Sequence, residues 1–567
     1  MRRLYLLLFV IIIIHPLWCK AASNRPVEAS KGMVGSAQRL ASETGVRVLK
    51  SRGNAVDAAV ATAFALAVVH PTAGNIGGGG FMVIRFADGR ATTIDFRETA
   101  PLKAHRDMYL KPDGTVDADK SQIGYLAVGV PGSVAGLCLA LQKYGSKPLA
   151  RVITPAIQLA EQGFLVTDDQ AESFAELQSD FQQFPPTAKI FLKPDGSPYR
   201  KGERFVQKDL ARTLKLIAAE GPDAFYKGEI AQLIAADMAR HSGLITLDDL
   251  AAYQAVERPP VKGMYRGYEI ISMGPPSSGG IALVQILNIL ENAGLRGKGH
   301  NSSQYVHLLA EAMRRAFADR AEYLGDPDFV SVPVQGLLSK EYALSLYRTI
   351  DSFKATESRN VKFGNPHAFQ SEGKQTTHFS VIDASGMAVS VTTTLNDNYG
   401  SRAVVDGAGF LLNNEMDDFT AKPGSPNLYE LIQNEANAIA PRKRMLSSMA
   451  PTIVVKDGEP FLVIGSRGGP HIINTVLQVI LNVIDFDMNI QDAIDAPRFH
   501  HQYLPDEIRY ERAGLAADVV EHLQSMGHLC KEVIKVGEAH GIHYDAARKK
   551  LYGAADRRSE GAAIGLD

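Results

Sequence analysis

Residues 55–69 read AVDAAVATAFALAVV, a helical stretch that is apolar almost all the way round. A helix without a polar face is buried inside a fold and not laid on its surface. A membrane span is excluded by its length and by Asp57. Such a helix needs a large core, which 567 residues with 45% hydrophobic content can supply. Length alone suggests two to four domains. No repeat, low-complexity stretch or long linker divides the sequence into them.

The first residues have the pattern of an export signal: Arg2 and Arg3, an apolar centre over residues 4–14, and Cys19-Lys20-Ala21 as a small-residue exit suited to cleavage after Ala21. The apolar centre is too short to cross a bilayer. Bulky Trp18 argues against lipid attachment at Cys19, and an uncleaved anchor is the other alternative. The expectation is an exported protein, periplasmic in a Gram-negative bacterium and otherwise secreted, without stable membrane insertion. Beyond the signal only Cys138 and Cys530 remain, which is no disulfide scaffold. Buried free thiols are the simpler reading and a single bridge the alternative. With 60 basic and 62 acidic residues and no basic run interleaved with aromatics, nucleic acid is not an expected partner.

Asn75-Ile76-Gly77-Gly78-Gly79-Gly80 leads into a strand from Phe81, and after Ala87-Asp88-Gly89 a second strand covers 91–96, forming a hairpin. These glycines precede a strand and no Gly-Lys-Ser or Gly-Lys-Thr follows, so close backbone packing explains them better than a phosphate loop. A helix is expected over 281–290 and a longer amphipathic one over 303–323, with Arg314, Arg315, Asp319 and Arg320 on a solvated or ion-paired face. Residues 351–375 are polar and aperiodic and read as an exposed strap. Another hairpin joins 452–456 to 461–464. Gly465-Ser466-Arg467-Gly468-Gly469 then precedes an apolar helix from about 472 to 484. A glycine pair at a strand-to-helix turn leaves outward N–H groups that can hold an oxyanion, with an ordinary turn as the structural alternative.

The chemistry centres on residues 376–383, TTHFSVID, followed by the turn Asp383-Ala384-Ser385-Gly386 and a second β-rich run to Thr394. The two arms form a hairpin that brings Thr394 and Asn396 back beside Thr376. A cut between Gln375 and Thr376 makes the threonine N-terminal. Its neutral α-amine, with a reference pKa of about 7.7–8.0, can then take the hydroxyl proton and hand it to a leaving group. Uncut, the same residues are an ordinary strand. Because the amine fills the role of base, His378 is read as structural. His500-His501 and His540 with His543 lack a cysteine or carboxylate at a recognised ligand spacing, so neither metal nor other cofactor is expected.

Further clusters complete the pattern: Arg97 in DFRETAP, Glu415 and Asp418 in LLNNEMDDF, and Ser447-Ser448 in LSSMAPTIV. With GNAVDAAVATA, NIGGGGF, AVGVPGSVAG, GPPSSGG, TTHFSVID and APRFHHQ, they strongly resemble the γ-glutamyltranspeptidase family of N-terminal-nucleophile hydrolases, over essentially the whole chain beyond the signal. The resemblance implies an α+β fold of αββα layers. It also implies a signal peptide over 1–21 and self-cleavage into a large subunit, 22–375, and a small subunit, 376–567, packed as one heterodimeric unit. Thr376 would attack the γ-carbonyl of glutathione or another γ-glutamyl donor, and the group would pass through a γ-glutamyl-enzyme to water or to an amino acid or peptide acceptor. By the same resemblance Thr394 supports the nucleophile, the N–H groups of Gly468 and Gly469 hold the oxyanion, and Tyr429, in AKPGSPNLY, covers the site as in lid-bearing bacterial relatives.

The chemistry of that donor asks independently for a cationic fork and an acidic patch. Arg97 with Ser447 and Ser448 suits its α-carboxylate; Glu415, Asp418 and Asn396 suit its α-ammonium. Each cluster also has a plain structural reading, as an ion pair, a cap or turn, or a solvated acidic turn whose spacing fits no EF-hand. Pro470-His471 and Arg467 depart from many relatives, which leaves helix entry and acceptor contacts open. Two other functions remain: a cephalosporin or glutaryl acylase of the same fold, whose glutaryl group has no ammonium for the acidic patch, and a non-catalytic exported binding protein that stays uncut.

Overall fold

The computed structural model describes residues 24–369 and 380–567. Two antiparallel sheets of seven strands form its centre. One runs in the order Ala562–Leu566, Gly32–Ser36, Ser380–Ile382, Ala388–Thr394, Gly79–Arg85, Ala91–Phe96 and Val256–Arg258. The other runs Val27–Ala29, Lys550–Ala555, Glu538–Asp545, Glu459–Arg467, Thr452–Lys456, Tyr268–Ser272 and Val261–Tyr265. Side chains alternate across each strand, so Met82 and Ile84 join one core with the helix Ala55–Val69, while Phe81 and Val83 join a second core shared with the other sheet. The helices Arg39–Lys50 and Ala55–Val69 cover the first sheet, and Gly279–Leu290 and His471–Ile484 cover the second. The result is an αββα sandwich. Both sheets mix strands from the two ends of the chain, so the length does not divide into separate bodies.

The apolar helix occupies Ala55–Val69 with every residue buried. Asp57 is tolerated there because it completes a capping box with Asn54 and accepts the N–H groups of Ser146 at 2.8 Å and Lys147 at 3.0 Å. The hairpin pairs Ser380 with Ser390 and Ile382 with Ala388, and the Asp383 N–H donates to the Met387 carbonyl at 3.1 Å. Its expected head, with Gln375, Thr376 and His378, lies outside the described residues, as does the export signal. The glycine run does serve close packing: a Cβ on Gly78 would run into the Thr394 carbonyl, and one on Gly77 into that of Leu411. Cys138 is buried and Cys530 half-buried, and both are free thiols. Among the described residues no helix is long and apolar enough to cross a membrane.

The helix Ser303–Tyr323 has the expected bounds, but its charged face is not solvated. Arg314, Arg315, Asp319 and Arg320 are all at most 4% exposed. The strap covers part of this face. Glu311 accepts the Thr356 N–H at 3.0 Å and its hydroxyl at 2.7 Å, and Asp319 accepts the Gly364 N–H at 2.8 Å. Asp506 accepts the Ser358 N–H at 2.6 Å and pairs with Arg314. The strap is thus exposed along much of its described length yet pinned at these points. Amphipathicity in the sequence marked a polar face correctly, but what lies over it is decided by chain far away.

Burial would raise the Glu311 carboxyl, but Arg314, Arg315 and Thr356 outweigh it and hold the group down at about 2. A depressed carboxylate contributes stability above its unfolded pKa, and that contribution is lost as pH falls through the folded value. We therefore expect wild type to lose about 3 kcal/mol from this group between roughly pH 4.5 and 2. Glu311→Gln should lack that acid limb in urea unfolding followed across pH, and an unchanged limb would show that the pairs do not stabilise the fold.

Candidate active site

Arg97 follows directly on the strand Ala91–Phe96 and is 1% exposed. Its Nη1 lies 2.6 Å from Glu415 and 3.4 Å from Glu98, its Nη2 lies 2.6 Å from Asp418, and its Nε donates to the Met445 carbonyl at 3.2 Å. One guanidinium therefore faces three buried carboxylates. Burial opposes the charge on Arg97, but the carboxylates outweigh it and raise its pKa. Burial raises the carboxyls in turn: Glu98 is pushed up to about 7 against the pull of Arg97, and Glu415 and Asp418 are shifted upward too. Glu415 is buried between Arg97, Asp418 and the Thr394 hydroxyl.

Residues 415–418 form a single 3-10 turn that is buried throughout, so the solvated acidic turn is excluded. Asn413 sets the turn: its side chain donates to the carbonyls of Gly77 and Gly129 and accepts the Gly129 N–H at 2.9 Å. Ser447 and Ser448 are buried as well. The Ser447 carbonyl accepts the Ser278 hydroxyl at 2.7 Å, and Ser448 Oγ accepts from Arg320 Nη2 at 3.2 Å. Arg320 also donates through Nε to Ser278 Oγ at 2.9 Å. It is a second buried guanidinium behind the serine pair.

Thr394 ends its strand opposite Gly79, and its Oγ1 accepts the Asn396 N–H at 2.7 Å. Asn396 turns the chain with φ 76°, a conformation asparagine tolerates better than most residues, and its side chain donates to the Asn414 carbonyl. Its own carbonyl accepts the Tyr429 hydroxyl at 2.6 Å. The Tyr429 segment is tethered by the neighbouring acids, since Asp417 accepts the Leu428 N–H at 2.8 Å and Asp418 the Asn427 amide at 3.3 Å.

The strand Glu459–Arg467 runs further than its hydrophobic pattern suggests and delivers Gly468 and Gly469 to the same place. Both have positive φ, 126° and 56°, and a Cβ on Gly469 would lie 2.7 Å from the Tyr429 ring. Among the described residues neither N–H makes a hydrogen bond, while their carbonyls accept from His471 and Ile472 as the next helix begins. Pro470 is its N-cap, so the proline does not impede helix entry. Burial, then Arg509 and Arg498, hold the His471 imidazole down at about 4, so it is neutral at physiological pH.

One cavity of about 270 Å³ is lined by Arg97, Thr394, Asn396, Glu415, Asp418, Tyr429, Ser447, Ser448, Gly468 and Gly469. Those are all the proposed site residues that lie in the described parts of the chain. Gln375 and Thr376 lie outside them. Sequence reasoning missed Glu98, Arg320 and the tether Asp417, although Glu98 and Asp417 adjoin residues that it named. It also missed a buried trio, His307, Glu311 and His528, with ligand atoms within 4.8 Å of one another. Glu311 there is engaged by Arg314, Arg315 and Thr356, and His307 lies 2.8 Å from His528, so the trio is a hydrogen-bonded packing set. His500 contacts Asn474 and Gln502, and His501 contacts Asp506.

Removing the one cation from the three carboxylates leaves buried charge uncompensated. Arg97→Met should cost about 3–5 kcal/mol in guanidinium chloride unfolding. A loss below about 1 kcal/mol would mean that the cluster is already neutralised without the arginine.

Comparison with known proteins places the chain in a family. The γ-glutamyltranspeptidase family model matches residues 41–566. A glutathione hydrolase proenzyme of Escherichia coli (strain K12) is 51% identical over 534 residues, covering 94% of this chain and 91% of that one. The crystal structure of cephalosporin acylase from Bacillus halodurans superposes with a TM-score of 0.85 at 28% identity, covering 98% of this chain and all of that one. That of Helicobacter pylori γ-glutamyltranspeptidase has a TM-score of 0.59 at 51% identity, covering 60% of this chain and 97% of that one. With its αββα fold and a family match spanning nearly its whole length, this chain belongs to the γ-glutamyltranspeptidase family.

Proposed function

We propose that the protein is an autoprocessed γ-glutamyltransferase and glutathione hydrolase, cut between Gln375 and Thr376 into subunits of residues 22–375 and 376–567 that stay together as one heterodimer. The observation that carries the reading is one cavity combining a guanidinium among carboxylates with two backbone N–H groups that make no hydrogen bond among the described residues. Arg97, Ser447 and Ser448 take the α-carboxylate of the donor; Glu415, Asp418 and Asn396 take its α-ammonium. Their spacing from the glycine pair then sets the γ-carbonyl at the nucleophile. The pairing of Ser380 with Ser390 and Ile382 with Ala388 supports the proposal that Thr376, further back along the same arm, works beside Thr394.

The Thr376 hydroxyl attacks the γ-carbonyl carbon as its own α-amine takes the proton, and the oxyanion is held by the N–H groups of Gly468 and Gly469. Collapse breaks the amide bond and returns the proton to the leaving amine. Water or an amine acceptor then attacks the γ-glutamyl ester, breaking it and restoring the threonine hydroxyl. Tyr429, bonded to Asn396 and packed on Gly469, limits water entry. Its ring is the cover over the oxyanion site. The partial coverage of this chain by the H. pylori chain, a share close to that of residues 22–375, agrees with subunit processing. Export through the N-terminal signal, to the periplasm in a Gram-negative cell, belongs to the same proposal.

The purified protein should separate under denaturing conditions into two chains, the smaller beginning at Thr376. Thr376→Ala should remain one chain and lose turnover of γ-glutamyl-p-nitroanilide by about 10⁴-fold or more. An active uncut protein, or a small chain starting elsewhere, overturns the proposal. Turnover of glutaryl-7-aminocephalosporanic acid in preference to glutathione would favour the acylase instead.

A further inference from the structure

A γ-glutamyl amide carries two substituents on its reacting carbonyl. Arg97 and its carboxylates account for the glutamyl side, and the amine side needs a second wall of the cavity. Beyond the glycine pair the cavity wall continues through Arg467, Lys535, Gly537 and Glu538. Arg467 directly precedes Gly468, and a Cβ on Gly468 would lie 3.2 Å from the Gly537 Cα, so this wall backs onto the candidate oxyanion donors. Glu538 is 3% exposed and receives both cations. Its carboxylate accepts Arg467 Nε at 2.9 Å and Nη2 at 3.1 Å, and it also pairs with Lys535. His70, 3.3 Å from Arg467 Nη1, is held down at about 3 by burial and by Arg467, and adds no charge.

Two cations therefore share one carboxylate. The cluster keeps one positive charge, and the side chains of Arg467 and Lys535 are 33% and 48% exposed. Lys535 has three N–H donors and bonds only to Glu538 among the described residues. Asp169, Glu172, Glu176 and Glu560 line an adjoining groove that shares these three residues. That acidic wall repels a second carboxylate farther out, so the cluster suits one anion placed close to the glycine pair.

Resting on the γ-glutamyl reading above, we propose that Arg467, Lys535 and Glu538 form the amine-side subsite, binding the carboxylate of the departing peptide and of the incoming amino acid or peptide acceptor. Glu538 orients the two cations, which carry the contact. In chemical terms the subsite selects amine partners that bear a single carboxylate over those that bear none.

The test uses donors that differ in that group. Glutathione leaves as a peptide with a carboxylate, whereas γ-glutamyl-p-nitroanilide leaves as an uncharged aniline. In Lys535→Met and Arg467→Met the ratio of kcat/KM for glutathione to that for the anilide should fall about tenfold, as expected for one lost charge-assisted hydrogen bond. Lys535→Arg should restore it. The preference for glycylglycine over glycylglycinamide as acceptor should fall in parallel. A ratio and an acceptor preference that stay within about twofold of wild type in active variants overturn the subsite alone. Wild-type protein that turns over neither donor overturns the γ-glutamyl reading and the subsite with it.

Discussion

Arg97 is the constraint around which the rest of the site is arranged. Taking a guanidinium and three carboxylates out of water is costly, and it is sustained only where geometry returns most of the loss. Contacts of 2.6 Å to Glu415 and to Asp418, and the bond to the Met445 carbonyl, provide that geometry. They also tie three distant pieces of chain together: a strand end, the 415–418 turn and the segment leading to Ser447. A second network lies behind, where Asp95 of the same strand pairs with Arg258 at 2.8 Å and Arg444 at 3.4 Å. The strand is thereby held from both sides of its end.

The sandwich makes this clustering possible. Strands Gly79–Arg85 and Ala388–Thr394 lie side by side in the middle of their sheet, so the glycine run beside Thr394 and the residues after it meet at one end of these central strands. The strand Glu459–Arg467 from the facing sheet brings the glycine pair to the same strand ends. Glycine is required there because Gly469 combines positive φ with direct contact to Tyr429. Tyr429 is in turn positioned by the acids that serve Arg97. The Tyr429 segment, the acidic turn and the glycine pair are therefore joined by direct contacts.

The cavity wall at Arg467, Lys535 and Glu538, the proposed amine side, is built on a different principle. Arg467 and Lys535 are partly exposed, so their charges are less expensive to maintain and more strongly screened than that of Arg97. Buried Glu538 supplies the orientation that exposed cations otherwise lack. The cavity thus has one deep, tightly paired end and one shallow, cationic end, consistent with a constant glutamyl group on one side and variable amines on the other.

Much of this was legible in the amino-acid order. The helices at 55–69 and 303–323, the hairpins and the strand-to-helix glycine turn follow from periodicity and turn residues, because those signals act over a few neighbouring positions. Motif resemblance named ten residues that the fold brings to one cavity. Local pattern could not say that Arg314, Arg315, Asp319 and Arg320 are buried, that Arg97 is gripped by Glu98 as well as by the acids assigned to the substrate, or that Lys535 meets Arg467 across Glu538. Chain order determined which elements form and which chemical groups are available. Tertiary structure alone decided which charges lose water and which partners they find, because desolvation and pairing depend on what is packed above a residue, and here those groups come from segments far away along the chain.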